Sequence, residues 1–140
     1  MLQYKVRSGK LVSLSYRVND TIYDLGYLKS TPAWDMLASL ILAGDVESAN
    51  TLYKLAFSIA ASKNWTRVAS GEWYARYGGH IIRVCSAGPV EVTLVRTNEY
   101  SQVPKDLAIK AAEIAYYIRR RWHEQRVAAQ TAKRDNRRTR

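Results

Sequence analysis

The sequence predicts an α+β fold: an N-terminal β-meander, an αα-hairpin, an antiparallel sheet of three to four strands, and a long C-terminal helix with a basic tail. Three observations carry this. Apolar residues alternate with polar ones through the first third of the chain and again after Asn64. Between those stretches the apolar spacing changes to three and four. From Pro104 an Ala- and charge-rich run keeps helical spacing to about Gln130. A period of two marks half-buried strands and a period of 3.6 marks amphipathic helices.

In the first third, Leu2, Tyr4 and Val6, then Val12, Leu14, Tyr16 and Val18, define two strands, with turns at Ser8-Gly9 and Asn19-Asp20. A third strand reads from Thr21 to Leu28, rich in β-branched and aromatic residues. Thr31-Pro32 opens a helix, since a Thr hydroxyl can accept an orphan amide and Pro at the first helical position gives up no internal bond. Its apolar residues run nearly all round, which predicts a core helix ended by Gly44. Asp45 can cap the next helix, whose Val46, Ala49, Leu52, Tyr53, Ala56, Phe57 and Ala60 share a face. With Gly44 alone between them the two helices form a tight αα-hairpin.

Strands are predicted near residues 66–69, 72–77, 80–86 and 90–96. Gly78-Gly79 suits a two-residue hairpin turn, because both positions of that turn type need positive φ. The turn sets Tyr77 opposite His80, Ala75 opposite Ile82 and Trp73 opposite Val84, with Trp73, Ala75, Tyr77, Ile82 and Val84 on a core face. A short turn at Ala87-Gly88-Pro89 adds Val92 and Leu94 to that face, whereas a four-residue turn would place Glu91 and Thr93 there; the apolar pattern favours the shorter one. In the last helix Leu107, Ala111, Ile114, Ala115, Ile118 and Trp122 lie within one arc. Its reverse carries Ile109, Ala112, Tyr116, His123 and Val127, either a second packing surface or a binding surface.

The strand and helix order from residue 45 onward is similar to the α-β-β-β-α order of double-stranded-RNA-binding domains, and residues 105–112 look like the second helix of that family. The glycine-rich approach and the lysine pair at that helix start are missing, an extra strand is present, and the N-terminal third lies outside the likeness. No residue role is carried over.

Composition limits function further. The chain has 140 residues, 47% hydrophobic and 24% charged, which suits one globular domain with a core of its own. The expected organisation is a single domain over 1–130 and a flexible basic tail over 131–140. A single cysteine, Cys85, fits a reducing compartment, and the cytoplasm is the default location. The N-terminus lacks the basic and apolar pattern of a secretion signal, and the most apolar run, Met36–Ala43, is far below the roughly 20 residues of a spanning helix, so no membrane contact is expected.

No catalytic motif stands out. His80 and Cys85 lack activating neighbours at motif spacing and His123 has only Glu124 beside it, no zinc-ligand pattern occurs, and neither a P-loop nor a Gly-x-Gly-x-x-Gly segment is present. The expectation is a non-enzyme without metal or cofactor. What remains is charge: 22 Lys and Arg against 12 Asp and Glu give +10, and residues 110–140 hold ten of the cations against three carboxylates, a net of +7.

Arg119, Arg120, Arg121 and Arg126, with Lys133, Arg134, Arg137, Arg138 and Arg140, form a candidate phosphate-binding helix and arm. Cations at a helix C-terminus also complement its dipole, but that accounts for one or two arginines better than for +7. Tyr74, Arg76 and Arg83 share a sheet face that could stack unpaired bases, or could cover a helix and line a rim. The expected function is nucleic-acid binding, to DNA or RNA, without catalysis. The alternative is a small interaction or assembly protein, a virion component or an inhibitor of a host factor. It would dock a protein partner or a second copy through Ile109, Ala112, Tyr116, His123 and Val127.

Overall fold

A computed structural model describes the backbone of residues 1–138 and the side chains of residues 1–134. The first third forms an antiparallel meander of β1 (Leu2–Arg7), β2 (Lys10–Val18) and β3 (Thr21–Asp24), in that order. Its turns fall where the sequence puts them: Ser8, Gly9 and Asn19 take positive φ of 53°, 74° and 54°. A bulge alters the faces. Lys5 pairs with Ser13 and Val6 with Leu11, leaving Val12 as the extra residue. That reverses the alternation, so Leu11 is buried with Leu14 and Tyr16 while Val12 faces solvent.

The third strand is shorter than predicted. The Asp24 carboxylate accepts the Gly26 amide at 3.0 Å, a local bond that competes with the ladder, and a 3-10 turn follows over Gly26–Ser30. Three-residue spacing then buries Leu25 and Leu28 together, both fully. Thr31 precedes α1 (Pro32–Leu42) as expected, but its hydroxyl donates back to the Leu28 carbonyl at 2.9 Å and caps no amide. Nor is α1 buried all round: Ala33, Trp34, Leu37 and Ile41 face the core, while Leu42 is 46% exposed.

Gly44, at φ +83°, turns the chain into α2 (Val46–Ala61), and Asp45 caps it by accepting the Ser48 amide at 3.2 Å. The buried side of α2 is Ala49, Leu52, Tyr53, Ala56, Ile59 and Ala60. Tyr16, Tyr53 and Phe57 join the meander to it through ring contacts of 4.6 and 5.5 Å between centroids.

The second sheet is antiparallel in the order β4 (Trp65–Ala69), β5 (Glu72–Tyr77), β6 (His80–Cys85) and β7 (Glu91–Thr97). The predicted register holds: Trp73 pairs with Val84, Ala75 with Ile82, Val84 with Val92 and Ile82 with Leu94. Gly78 and Gly79 have φ of 58° and 84°, and a Cβ on Gly78 would stand 2.8 Å from Val103 Cγ2, so both conformation and space require glycine there.

His80, 2% exposed, braces this turn. Its Nε2 lies 2.6 Å from the Val103 carbonyl and its Nδ1 2.6 Å from the Thr97 hydroxyl. A carbonyl can only accept, so Nε2 carries a proton, and in the neutral ring Nδ1 accepts from the Thr97 hydroxyl.

The closing helix α3 (Lys105–Arg138) is about 51 Å long at 1.5 Å per residue. It runs past Gln130, where the apolar pattern stops. Ala128, Ala129, Gln130, Ala132, Lys133 and Arg134 are all strong helix formers, and intrinsic propensity carries the helix onward without a packing face. Its first half has two buried sides. Ala111, Ile114, Ala115, Tyr117 and Ile118 belong to the core shared by the meander, α1 and α2, while Ala108 and Ala112 pack under Ile82 and Val84 of the second sheet. Trp65, Val90 and Tyr116 touch both clusters. From His123 to Arg134 every side chain is exposed. No described helix is long and apolar enough to cross a membrane.

Candidate nucleic-acid interface

The last turn of α2 leaves carbonyl groups without helical partners and concentrates partial negative charge at Ser62. Two side chains from distant segments meet it. Trp65, at the start of β4, donates its indole N–H to the Ile59 carbonyl at 2.8 Å, and Arg119 of α3 donates Nη1 to the Ala60 carbonyl at 2.9 Å. The Arg119 guanidinium also lies 5.0 Å from the Trp65 ring centroid. Burial, and then the Arg126 guanidinium, push Arg119 below the ordinary arginine range. The clamp joins α2, β4 and α3 and fixes the direction in which the exposed half of α3 leaves the body.

Beside the clamp the end of α2, the β4–β5 hairpin and α3 enclose a groove of about 1010 Å³. Lys63, Arg67, Arg119, Arg120 and Arg126 line it, together with the rings of Trp65, Trp73, Tyr116, Trp122 and His123. No Asp or Glu is among the described residues that line it. Arg67 pairs across the strands with Trp73 and holds its guanidinium 5.8 Å from that ring. Arg120 stands 5.0 Å from Tyr117 and 5.9 Å from Tyr116, and its contact with Glu124 is long, 3.9 Å, between half-exposed groups. Such a pair is worth ~0.3–0.5 kcal/mol and leaves the positive field in place.

The residues singled out from sequence divide among several surfaces. Arg119, Arg120 and Arg126 meet in the groove. Arg121 turns the other way, 5.5 Å over Tyr27, where it lines a small cavity of about 210 Å³ with Tyr23, Asp24 and Tyr53. Helical geometry explains the split, since adjacent residues stand ~100° apart. Lys133 and Arg134 are exposed on the projecting half of α3, and the side chains of Arg137, Arg138 and Arg140 lie outside the described residues.

Arg76 borders a different cleft, of about 990 Å³, with Arg96, Gly78, Gly79 and Glu99. Arg83 is held by Glu72 at 2.6 Å, and Tyr74 is half-buried between Thr66 and Arg83 in the sheet. The sheet face proposed for stacking is therefore separate from the basic groove, and one of its two arginines is already paired.

The reverse face of α3 needs correction as a docking surface. Ala112 is fully buried against Ile82 and Val84, and Tyr116 packs half-buried on both clusters, because α3 passes between α2 and the second sheet and needs two apolar sides. Ile109 is half-buried, and only His123 and Val127 of that set are exposed.

Sequence reasoning missed Lys63, Arg67, Trp65 and Trp73 as groove residues. The available signal was the Ser70-Gly71 turn, with Gly71 at φ +70°, which brings Arg67 opposite Trp73. No protein family, curated protein or solved structure matches the chain, so the reading rests on its own residues.

Proposed function

We propose that this chain is a non-enzymatic nucleic-acid-binding protein that holds phosphates in the groove beside the Trp65–Arg119 clamp and along the projecting basic half of α3. The observation that carries this is the groove's lining: five Lys and Arg with aromatic rings and no described carboxylate. Such a surface releases condensed counterions from a polyanion and gains affinity from that release. The absence of a catalytic role for His80 is part of the proposal and is supported by its bonds, which use both ring nitrogens to brace the hairpin. A cytoplasmic location is proposed from the free thiol of Cys85.

The test is binding of labelled DNA and RNA strands at low salt, with and without residues 132–140. Affinity falls steeply with salt, and the truncation weakens binding and flattens that dependence. A full-length chain that binds neither polymer at low salt removes the proposal. The second reading, a protein partner or second copy on α3, is narrowed to the exposed helix around His123 and Val127, the latter 45% exposed. Light scattering over a concentration series on the intact chain and on Val127→Glu separates the two: a large species lost in the variant favours assembly.

A further inference from the structure

We infer that the groove takes unpaired bases, so that its ligand is single-stranded nucleic acid and not duplex. The inference rests on the nucleic-acid reading above and adds the class of strand. Its starting point is where the rings sit. Trp65 and Trp73 are half-buried, packed on the cluster of Ile82 and Val84, and at the same time line the groove between cations on β4 and α3.

A duplex keeps its base faces stacked inside and presents phosphates on a convex surface, so it can meet the outer arginines but not recessed rings without extruding a base. A single strand carries ring faces and phosphates together, the combination that a positively charged groove with interleaved aromatics accepts. The arrangement is set before any ligand arrives. The Trp65 indole is fixed by its bond to the Ile59 carbonyl and Arg119 by its bond to the Ala60 carbonyl, which makes Arg119 a positioning residue. Lys63, Arg67, Arg120 and Arg126 are left to meet phosphates, and Trp73 is the stacking ring, its face opened to a base when Arg67, 5.8 Å from the ring centroid, turns to a phosphate. None of these groups reads a base edge, so sequence preference is weak.

The experiment uses the full chain and labelled probes of equal length: oligouridylate, oligothymidylate, an abasic strand with the same phosphates, and a duplex. The base-bearing strands bind roughly ten-fold more tightly than the abasic strand, and more tightly than the duplex. Trp73→Ala removes the preference for bases while keeping the salt dependence, and Trp73→Phe, which preserves a ring in the sheet, keeps most of it. Equal binding of base-bearing and abasic strands by the unaltered chain, or a preference for duplex, overturns the inference and leaves the nucleic-acid reading standing. Failure to bind any probe removes both.

Discussion

Replacing Arg120 and Arg126 together by alanine tests whether the groove cations meet phosphates. Both are exposed and line the groove. Arg120 loses two ring contacts and a long ion pair that together contribute about 1–2 kcal/mol, small against the roughly 5–15 kcal/mol that holds a domain folded, so the double variant stays folded. Each phosphate neutralised on a single strand adds about −0.7 to the slope of log affinity against log salt. Lys63, Arg67, Arg120 and Arg126, one phosphate each, give a slope of about −2.8, a loss of about 50-fold between 50 and 200 mM salt. Without the two arginines the slope is about −1.4 and the loss about 7-fold. Further contacts along α3 add to both slopes and leave their difference near 1.4. Fluorescence anisotropy of a labelled oligonucleotide across that salt range measures it, with circular dichroism to confirm folding. An unchanged slope in a folded double variant would refute the assignment of these side chains to phosphates.

Two further outcomes concern the scaffold. His80→Ala takes from the half-buried Thr97 hydroxyl its bond to Nδ1 and leaves the Val103 carbonyl only the Ser101 hydroxyl at 3.3 Å, and costs about 2 kcal/mol, read as a lower urea midpoint with unchanged m; a loss under about 1 kcal/mol contradicts the bracing role. Burial pushes the Glu113 carboxyl above the ordinary carboxylate range. The folded state therefore keeps that proton to higher pH than the unfolded state does. Stability falls as pH rises from about 4.3 through the folded value, and the deficit is complete above it. Glu113→Gln accordingly raises the melting temperature at neutral pH and leaves it unchanged below about pH 4, where both forms are neutral; the same gain at both pH values would contradict this account.

How far the fold was legible depends on how local its causes are. The Gly78-Gly79 turn dictated the register of β5 with β6, and through the short Ala87-Gly88-Pro89 connection the pairing of Val84 with Val92, because side-chain alternation propagates from one fixed turn. The bulge at Val12 and the 3-10 turn after Asp24 were not legible, since each depends on which apolar residues the assembled core can accept.

The candidate site was half legible. Charge asymmetry pointed to α3, and Arg119, Arg120 and Arg126 do converge. But a run of three arginines reads as one patch, whereas the helix distributes Arg121 to Tyr27 and Arg119 to the Ala60 carbonyl. The groove's other wall comes from Lys63, Arg67 and Trp73, more than forty positions away in the chain, and only tertiary packing joins it to α3. Ala112 and Tyr116 were ambiguous for a related reason: an apolar second face on a helix looks the same in sequence whether it packs on a partner or on the chain's own sheet.

The most direct measurement of the central claim uses the four tryptophans as separate reporters. Trp65, Trp73 and Trp122 line the groove, whereas Trp34 is buried in α1 with Lys29 5.5 Å from its ring. In a titration of the ¹⁵N-labelled chain with oligouridylate or oligothymidylate at low salt, the indole N–H signals of Trp73 and Trp122 shift and saturate with the bound fraction, while that of Trp34 stays in place. Saturable binding that leaves the groove indoles unmoved, or that moves Trp34 instead, contradicts the account.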